Sequence, residues 1–211
     1  MFDFAALKES LIKGDIEKTA EMTRAAVDSG VKAKDVLDKC LVLGLEEVGR
    51  RFQKGEFYFP ELLVAGEAMK SAMTILKPEL AKKGGATIGR YVIGTVKSDI
   101  HDIGKNIIIM MLEGNGWDVT DLGVDVSSEQ FCQAVKGKKF DILGMSALLT
   151  TTITQLPQTI EMLKKQGLRD KVKVMVGGVS VTQAYADQIG ADAYGKDAVE
   201  AVIKARQLMG K

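Results

Sequence analysis

The hydrophobic period of the chain changes once, near residue 83, and this constrains the fold more than any other feature. Before that point apolar residues recur at helical spacing; after it, short apolar runs alternate with helical stretches. Leu7, Leu11 and Ile12 form a first stripe, and Gly14-Asp15 reads as a break with Asp15 capping the next helix. That helix runs from Ile16 to about Ser29 and ends at Gly30. A third carries Val36, Leu37, Cys40, Leu41, Leu43, Leu45 and Val48 from near Ala33 to about Phe52. Gly55 stops it, and Pro60 suits the first turn of a fourth helix through Leu76. Four helices with short connections predict a bundle.

Lys82-Lys83-Gly84-Gly85 reads as the join. The boundaries are a helical domain over 1–83, a linker at 84–87 and a second domain over 88–211. In the second, apolar runs at 91–96, 117–122, 142–145, 172–176 and 191–194 alternate with helices near 103–115, 128–137, 153–166, 180–189 and 197–209. Five strands, each followed by a helix, imply a parallel sheet covered on both faces with right-handed crossovers. The class is therefore α plus α/β, the second part doubly wound and flavodoxin-like (Rossmann-like), in strand order 2-1-3-4-5.

In such a sheet ligands bind beyond the carboxyl ends of the strands, where the order reverses. The loops over 97–104 and 146–152 meet there, and Gly177-Gly178 ends the neighbouring fourth strand. His101, the only histidine, lies in the first of these loops. A lone loop histidine is often a surface or capping residue. Against that, Asp99 stands two residues earlier, where its carboxylate can reach one ring nitrogen. This fixes the tautomer and leaves the other nitrogen as a stronger metal donor. With one histidine and two separate cysteines, Cys40 and Cys132, the chain lacks a four-ligand zinc set or a disulfide framework. A single axial ligand suits a metal already held by a macrocycle.

Gly104 leaves the start of the following helix unobstructed, and Gly177-Gly178 lets backbone approach a flat ligand, although a glycine pair after a strand is often a plain turn. Ser146, Thr150 and Thr152 supply hydroxyls that could touch a ligand or cap a helix. Phosphate-loop patterns are absent. With 29 basic and 28 acidic residues, the net charge of +1 gives no reason to expect a nucleic acid or an anionic membrane as partner. No apolar run reaches the roughly 20 residues of a membrane helix, and the expected compartment is the reduced cytoplasm.

Taken together, Asp99-x-His101-x-x-Gly104, Ser146-x-Leu148 and Gly177-Gly178 closely resemble the cobalamin-binding proteins of methyl-transfer systems. These include the cobalamin module of methionine synthase and the corrinoid proteins of methanol, methylamine, glycine betaine and aryl methyl ether demethylation. The resemblance spans nearly the whole chain, since the helical half is similar to that family's N-terminal cap. It implies that His101 replaces the cofactor's dimethylbenzimidazole as lower cobalt ligand, with Asp102 beside it also binding the cofactor. The displaced nucleotide tail would lie along Gly104, Ser146, Leu148, Thr150 and Gly177-Gly178, with Tyr194 and Gly195 at its far end. Asp99 would tune the ligand, and Thr152 stands where methionine synthase has a serine that completes the hydrogen-bonded chain. Phe52 and Phe59, in the segments Val48-Gly49-Arg50-Arg51-Phe52 and Gly55-Glu56-Phe57-Tyr58-Phe59-Pro60, would cover the upper face, although aromatics at such spacing are commonly core.

The function so implied is that of a methyl carrier, inactive alone, cycling between cobalt(I) and methyl-cobalt(III). A donor-specific methyltransferase would load it, and an acceptor methyltransferase would unload it to tetrahydrofolate or a thiol. A reductive activase would rescue oxidised cobalt, and a hinge at 82–86 would let the cap swing away. Competing readings are a subunit of an adenosylcobalamin mutase, against which the Phe52/Phe59 pattern argues, and a cobalamin-sensing regulator, which needs a DNA-binding domain. A cofactor-free response-regulator-like fold is disfavoured by the surroundings of His101.

Overall fold

Two aspartates start the first two helices. Asp3 accepts the N–H of Ala6 and heads α1 (Phe4–Ile12); Asp15 accepts the N–H of Lys18 and heads α2 (Ile16–Asp28), each at 3.0 Å. In this computed structural model, residues 2–82 and 87–210 are described. The chain divides into two compact units, one made of residues 1–86 with a short piece at 113–115, the other of the remainder.

In the helical unit, α3 (Ala33–Val36) passes through a π-helical segment (Leu37–Leu41) into α4 (Val42–Gln53), and α5 follows (Phe59–Lys82). Four rods result, as the periodicity predicts. Leu7, Leu11, Val36, Cys40, Leu41, Leu45, Val48, Ala65, Met69 and Leu76 are fully buried. Each large aliphatic among them stabilises the unit by about 1.5–3 kcal/mol. At the α1–α2 turn, Gly14 holds φ +68°, and a Cβ there would collide with Val64 of α5. Two expectations need correction. The third rod is not uniformly α, since a wide turn intervenes where Cys40 Sγ bonds the carbonyl of Val36 at 2.7 Å. The fourth continues past Leu76 to Lys82 with Pro78 inside it, so Lys82 is helical rather than part of the join. The expected linker at 84–87 and hinge at 82–86 fall largely on residues outside the described set.

The second unit contains a five-stranded sheet, all parallel, in the order β2-β1-β3-β4-β5. Its strands are β1 (Arg90–Thr95), β2 (Asp118–Asp121), β3 (Ile142–Ser146), β4 (Lys173–Gly177) and β5 (Ala193–Gly195). The intervening helices are α6 (Ile103–Gly114), α7 (Ser128–Gly137), α8 (Gln155–Lys165) and α9 (Gln183–Ile189), with α10 (Ala198–Leu208) last. Strands β1, β3 and β4 are buried almost throughout, as a sheet covered on both faces requires. Val92, Leu143, Val174 and Val176 pack with Phe131, Leu156, Ile160 and Leu163 of α7 and α8. Because β1 lies between β2 and β3, the chain leaves it on opposite sides, and the ends of β1 and β3 form the switch point.

Candidate functional site

Thr95 ends β1 fully buried, and its hydroxyl donates to the carbonyl of His101 at 3.0 Å, folding the intervening loop back on the strand. Asp99 lies inside that fold with its side chain inaccessible to solvent. Its Oδ1 accepts the backbone N–H of His101 at 3.0 Å and the ring Nδ1 at 2.7 Å. Its Oδ2 accepts the backbone N–H of Leu148 and the hydroxyl of Thr152, both at 2.7 Å. Four bonds fill the acceptor sites of one carboxylate. Burial alone would raise its pKa, but the N–H groups of His101 and Leu148, the Thr152 hydroxyl and the His101 ring prevail. The carboxyl is held well below the usual aspartate range.

An ionised Asp99 can only accept, so Nδ1 of His101 carries the proton and Nε2 presents its lone pair outward. The imidazole is 47% exposed, accessible to a ligand yet anchored at its base. Large apolar side chains stand exposed on the loops at this same sheet edge: Ile100 and Ile103 beside the histidine, Val124 after β2, Leu149 after β3 and Val179 after β4. Exposed aliphatics following four strands at the edge that carries His101 make an apolar rim suited to a flat, hydrophobic partner. Among the described residues, no three of His, Cys, Asp and Glu come together to hold a bare ion.

The glycines divide by role. A Cβ on Gly178, at φ +128°, would stand 1.9 Å from the carbonyl oxygen of Ala147, so the β3 and β4 loops touch backbone to backbone. A Cβ on Gly177 would stand 2.9 Å from the carbonyl oxygen of Gly195. Gly104, by contrast, has nothing within 4 Å of its absent side chain. Protein packing therefore does not require a glycine there. Beneath these loops a narrow cavity of about 30 Å³ opens between the sheet and helices α6 and α10, lined by Ile108, Gly144, Ser146, Gly177, Gly195 and Ala201.

Of the other candidates, Thr150 is exposed on the β3 loop, Leu148 is partly buried, and Tyr194 is partly buried in β5 with its phenol pKa pushed up by burial. Asp102 turns to α6, accepting the backbone and side-chain N–H groups of Asn106 at 2.7 and 3.1 Å. Thr152 serves Asp99 instead of capping α8. In the helical unit, Phe52 is partly buried near the end of α4, and Phe59 opens α5 with 44% exposure, next to Tyr58 at 68%. Sequence reasoning missed Ser180, whose hydroxyl holds the carbonyl of Leu148 at 2.6 Å, as well as Lys97 and Asp125. All three act across long chain separations that leave no local pattern.

A two-part chain with a parallel sheet, one anchored imidazole and an apolar rim at the switch point defines a macrocycle-binding protein. Comparison with known proteins specifies the macrocycle. Models of the B12 binding domain match residues 89–203 and, for the cap, 4–77. The trimethylamine corrinoid protein 1 of Methanosarcina acetivorans is 42% identical over 207 residues, covering 97% of this chain and 96% of that protein. The crystal structure of a novel cobalamin-binding protein from Desulfitobacterium hafniense DCB-2 superposes with TM-score 0.83 at 32% identity, covering 99% of both chains. A chain of the methanol:cobalamin methyltransferase complex MtaBC from Methanosarcina barkeri does so with TM-score 0.83 at 29% identity, over 98% of this chain and 79% of that one. This chain belongs to the B12-binding corrinoid proteins of methyltransferase systems, and its cofactor is a corrinoid. Among the described residues, no helix is long and apolar enough to cross a membrane.

Proposed function

We propose that this protein is a methyl carrier whose His101 Nε2 is the lower axial ligand of the corrinoid cobalt. The observation that carries the reading is the imidazole itself, half exposed within an apolar rim, with Nδ1 fixed by a buried, fully bonded carboxylate. When bound, the corrinoid supplies a cobalt centre that accepts and gives up a methyl group between cobalt(I) and methyl-cobalt(III). The protein's own residues do the rest. Asp99 holds the ring in the Nδ1–H tautomer, and Thr152 and the Leu148 N–H hold Asp99. Ile100, Ile103, Leu149 and Val179 exclude water from beneath the macrocycle. Gly104, Ser146, Leu148, Thr150 and Gly177-Gly178 line the path of the nucleotide tail toward Tyr194 and Gly195, with Asp102 ordering the first turn of α6. Phe52 and Phe59 are the residues of the helical unit to which the family resemblance assigns a part in cofactor binding.

In this reading the helical domain (1–83), linker (84–87) and cobalamin-binding domain (88–211) work as cap, hinge and carrier in the cytoplasm. A donor-specific methyltransferase loads the cobalt; an acceptor methyltransferase passes the group to tetrahydrofolate or a thiol; a reductive activase restores oxidised cofactor. The names of the relatives support a methylamine or methanol as donor class. Assaying methyl loading with purified methyltransferases of each donor class tests this. Methylation of bound cobalt by one of them supports the carrier role, and indifference to all contradicts it.

A further inference from the structure

Two residues with side chains hold positive φ among the described residues, Ser98 at 65° and Asp125 at 55°, and they face each other. Asp125 Oδ1 accepts the N–H of Ser98 at 2.8 Å, and its Oδ2 pairs with Lys97 Nζ at 3.0 Å. Its own N–H donates to the carbonyl of Asp99 at 3.0 Å. The Asp125 segment is in turn fastened to β1. Thr95 N–H bonds the Gly123 carbonyl at 3.0 Å, Val126 N–H bonds the Thr95 carbonyl at 2.9 Å, and Val96 and Val126 form a parallel bridge. Left-handed backbone is unfavourable for serine, and a chain free to relax would leave it. Ser98 immediately precedes Asp99, so rotation there would carry the carboxylate away from the Leu148 N–H and the Thr152 hydroxyl.

We propose that Asp125 is a positioning residue that clamps Ser98 in its left-handed conformation and thereby aims the Asp99–His101 pair at cobalt. It acts through Ser98 and Asp99 and touches neither the imidazole nor the cofactor. The carboxyl of Asp125 is held below its usual range, by the Ser98 N–H first and then by Lys97, as an occupied clamp requires. The inference rests on the reading of His101 as cobalt ligand.

Because His101 is the only histidine, its ring nitrogens give unambiguous NMR signals in the apo-protein. Asp125→Gly permits the positive φ but removes the acceptor, Asp125→Asn keeps an acceptor oxygen, and Ser98→Gly removes the need for a clamp. In wild type and Asp125→Asn the ring is expected as a single Nδ1–H tautomer. In Asp125→Gly it is expected as a mixture, with the equilibrium constant for histidine ligation of cobalt(II), read by electron paramagnetic resonance, falling about tenfold. The double variant with Ser98→Gly should recover most of both. A folded Asp125→Gly with wild-type ring signals and ligation overturns the clamp. So does a wild-type Ser98 amide that exchanges as fast as a free loop amide, a measurement independent of whether any variant folds. If wild type shows the locked tautomer but no histidine ligation, the cobalt reading fails, and the ring signals of Asp125→Gly alone decide the clamp.

Discussion

Asp99 is buried and ionised only because four donors surround it, which couples fold stability to pH. A carboxylate whose folded pKa is depressed stabilises the native state above its unfolded value near 3.9 and loses that contribution as pH falls through the folded value. In the apo-protein, Asp99→Asn should therefore flatten the decline in stability below about pH 4, seen as a weaker pH dependence of the denaturant midpoint. A decline as steep as in wild type would assign the acid sensitivity elsewhere. Thr152→Val removes one bond to a buried charge and should cost about 1.5–3 kcal/mol. Thr152→Ser keeps the hydroxyl and should cost less than half as much. Equal losses would mean that packing of the Thr152 methyl group matters as much as the hydroxyl's bond to Asp99. At this scale the Asp99-x-His101 spacing is legible in the sequence, because a two-residue reach is local. The clamp from Asp125 and the roof from Leu148 are not, since each depends on which strands become neighbours.

Among the elements, the loops at the sheet edge separate what packing demands from what a ligand demands. Gly178→Ala must resolve a near-contact with the Ala147 carbonyl and a φ that alanine avoids. A loss of about 3 kcal/mol is expected by chemical denaturation. Gly104→Ala meets open space on a helix and should leave the apo-protein unchanged or stabilise it by about 0.5 kcal/mol. Gly104→Leu should keep the fold yet weaken cobalamin binding, measured by spectroscopic titration; undiminished affinity would remove Gly104 from the tail's path. Strand and helix positions in the second unit agree with the hydrophobic pattern to within about two residues, apart from a slightly shorter α9. Buried parallel strands leave continuous apolar runs that helices between them interrupt. The π segment at Leu37–Leu41 left no trace, because five residues are too few for its wider turn to disturb a 3.6-residue period. The periodicity likewise ends the fourth helix near Leu76, yet α5 runs on to Lys82 through Pro78.

For the molecule as a whole, the change of hydrophobic period divides the chain into two kinds of architecture, and the switch point locates the ligand edge. The native state alone assembles that edge, so cofactor binding must raise thermal stability. At a free cobalamin concentration 100 times its dissociation constant, the gain is about 2.7 kcal/mol. His101→Ala should retain part of it through the tail contacts.

The most direct measurement is electron paramagnetic resonance of cobalt(II) in the loaded protein, made with natural-abundance and with ¹⁵N-histidine-labelled chain. Ligation by His101 predicts that the axial nitrogen splitting changes from the ¹⁴N to the ¹⁵N pattern on labelling and disappears in His101→Ala. Splitting that is indifferent to the label would show that the cofactor keeps its own base and that this imidazole does not reach the metal.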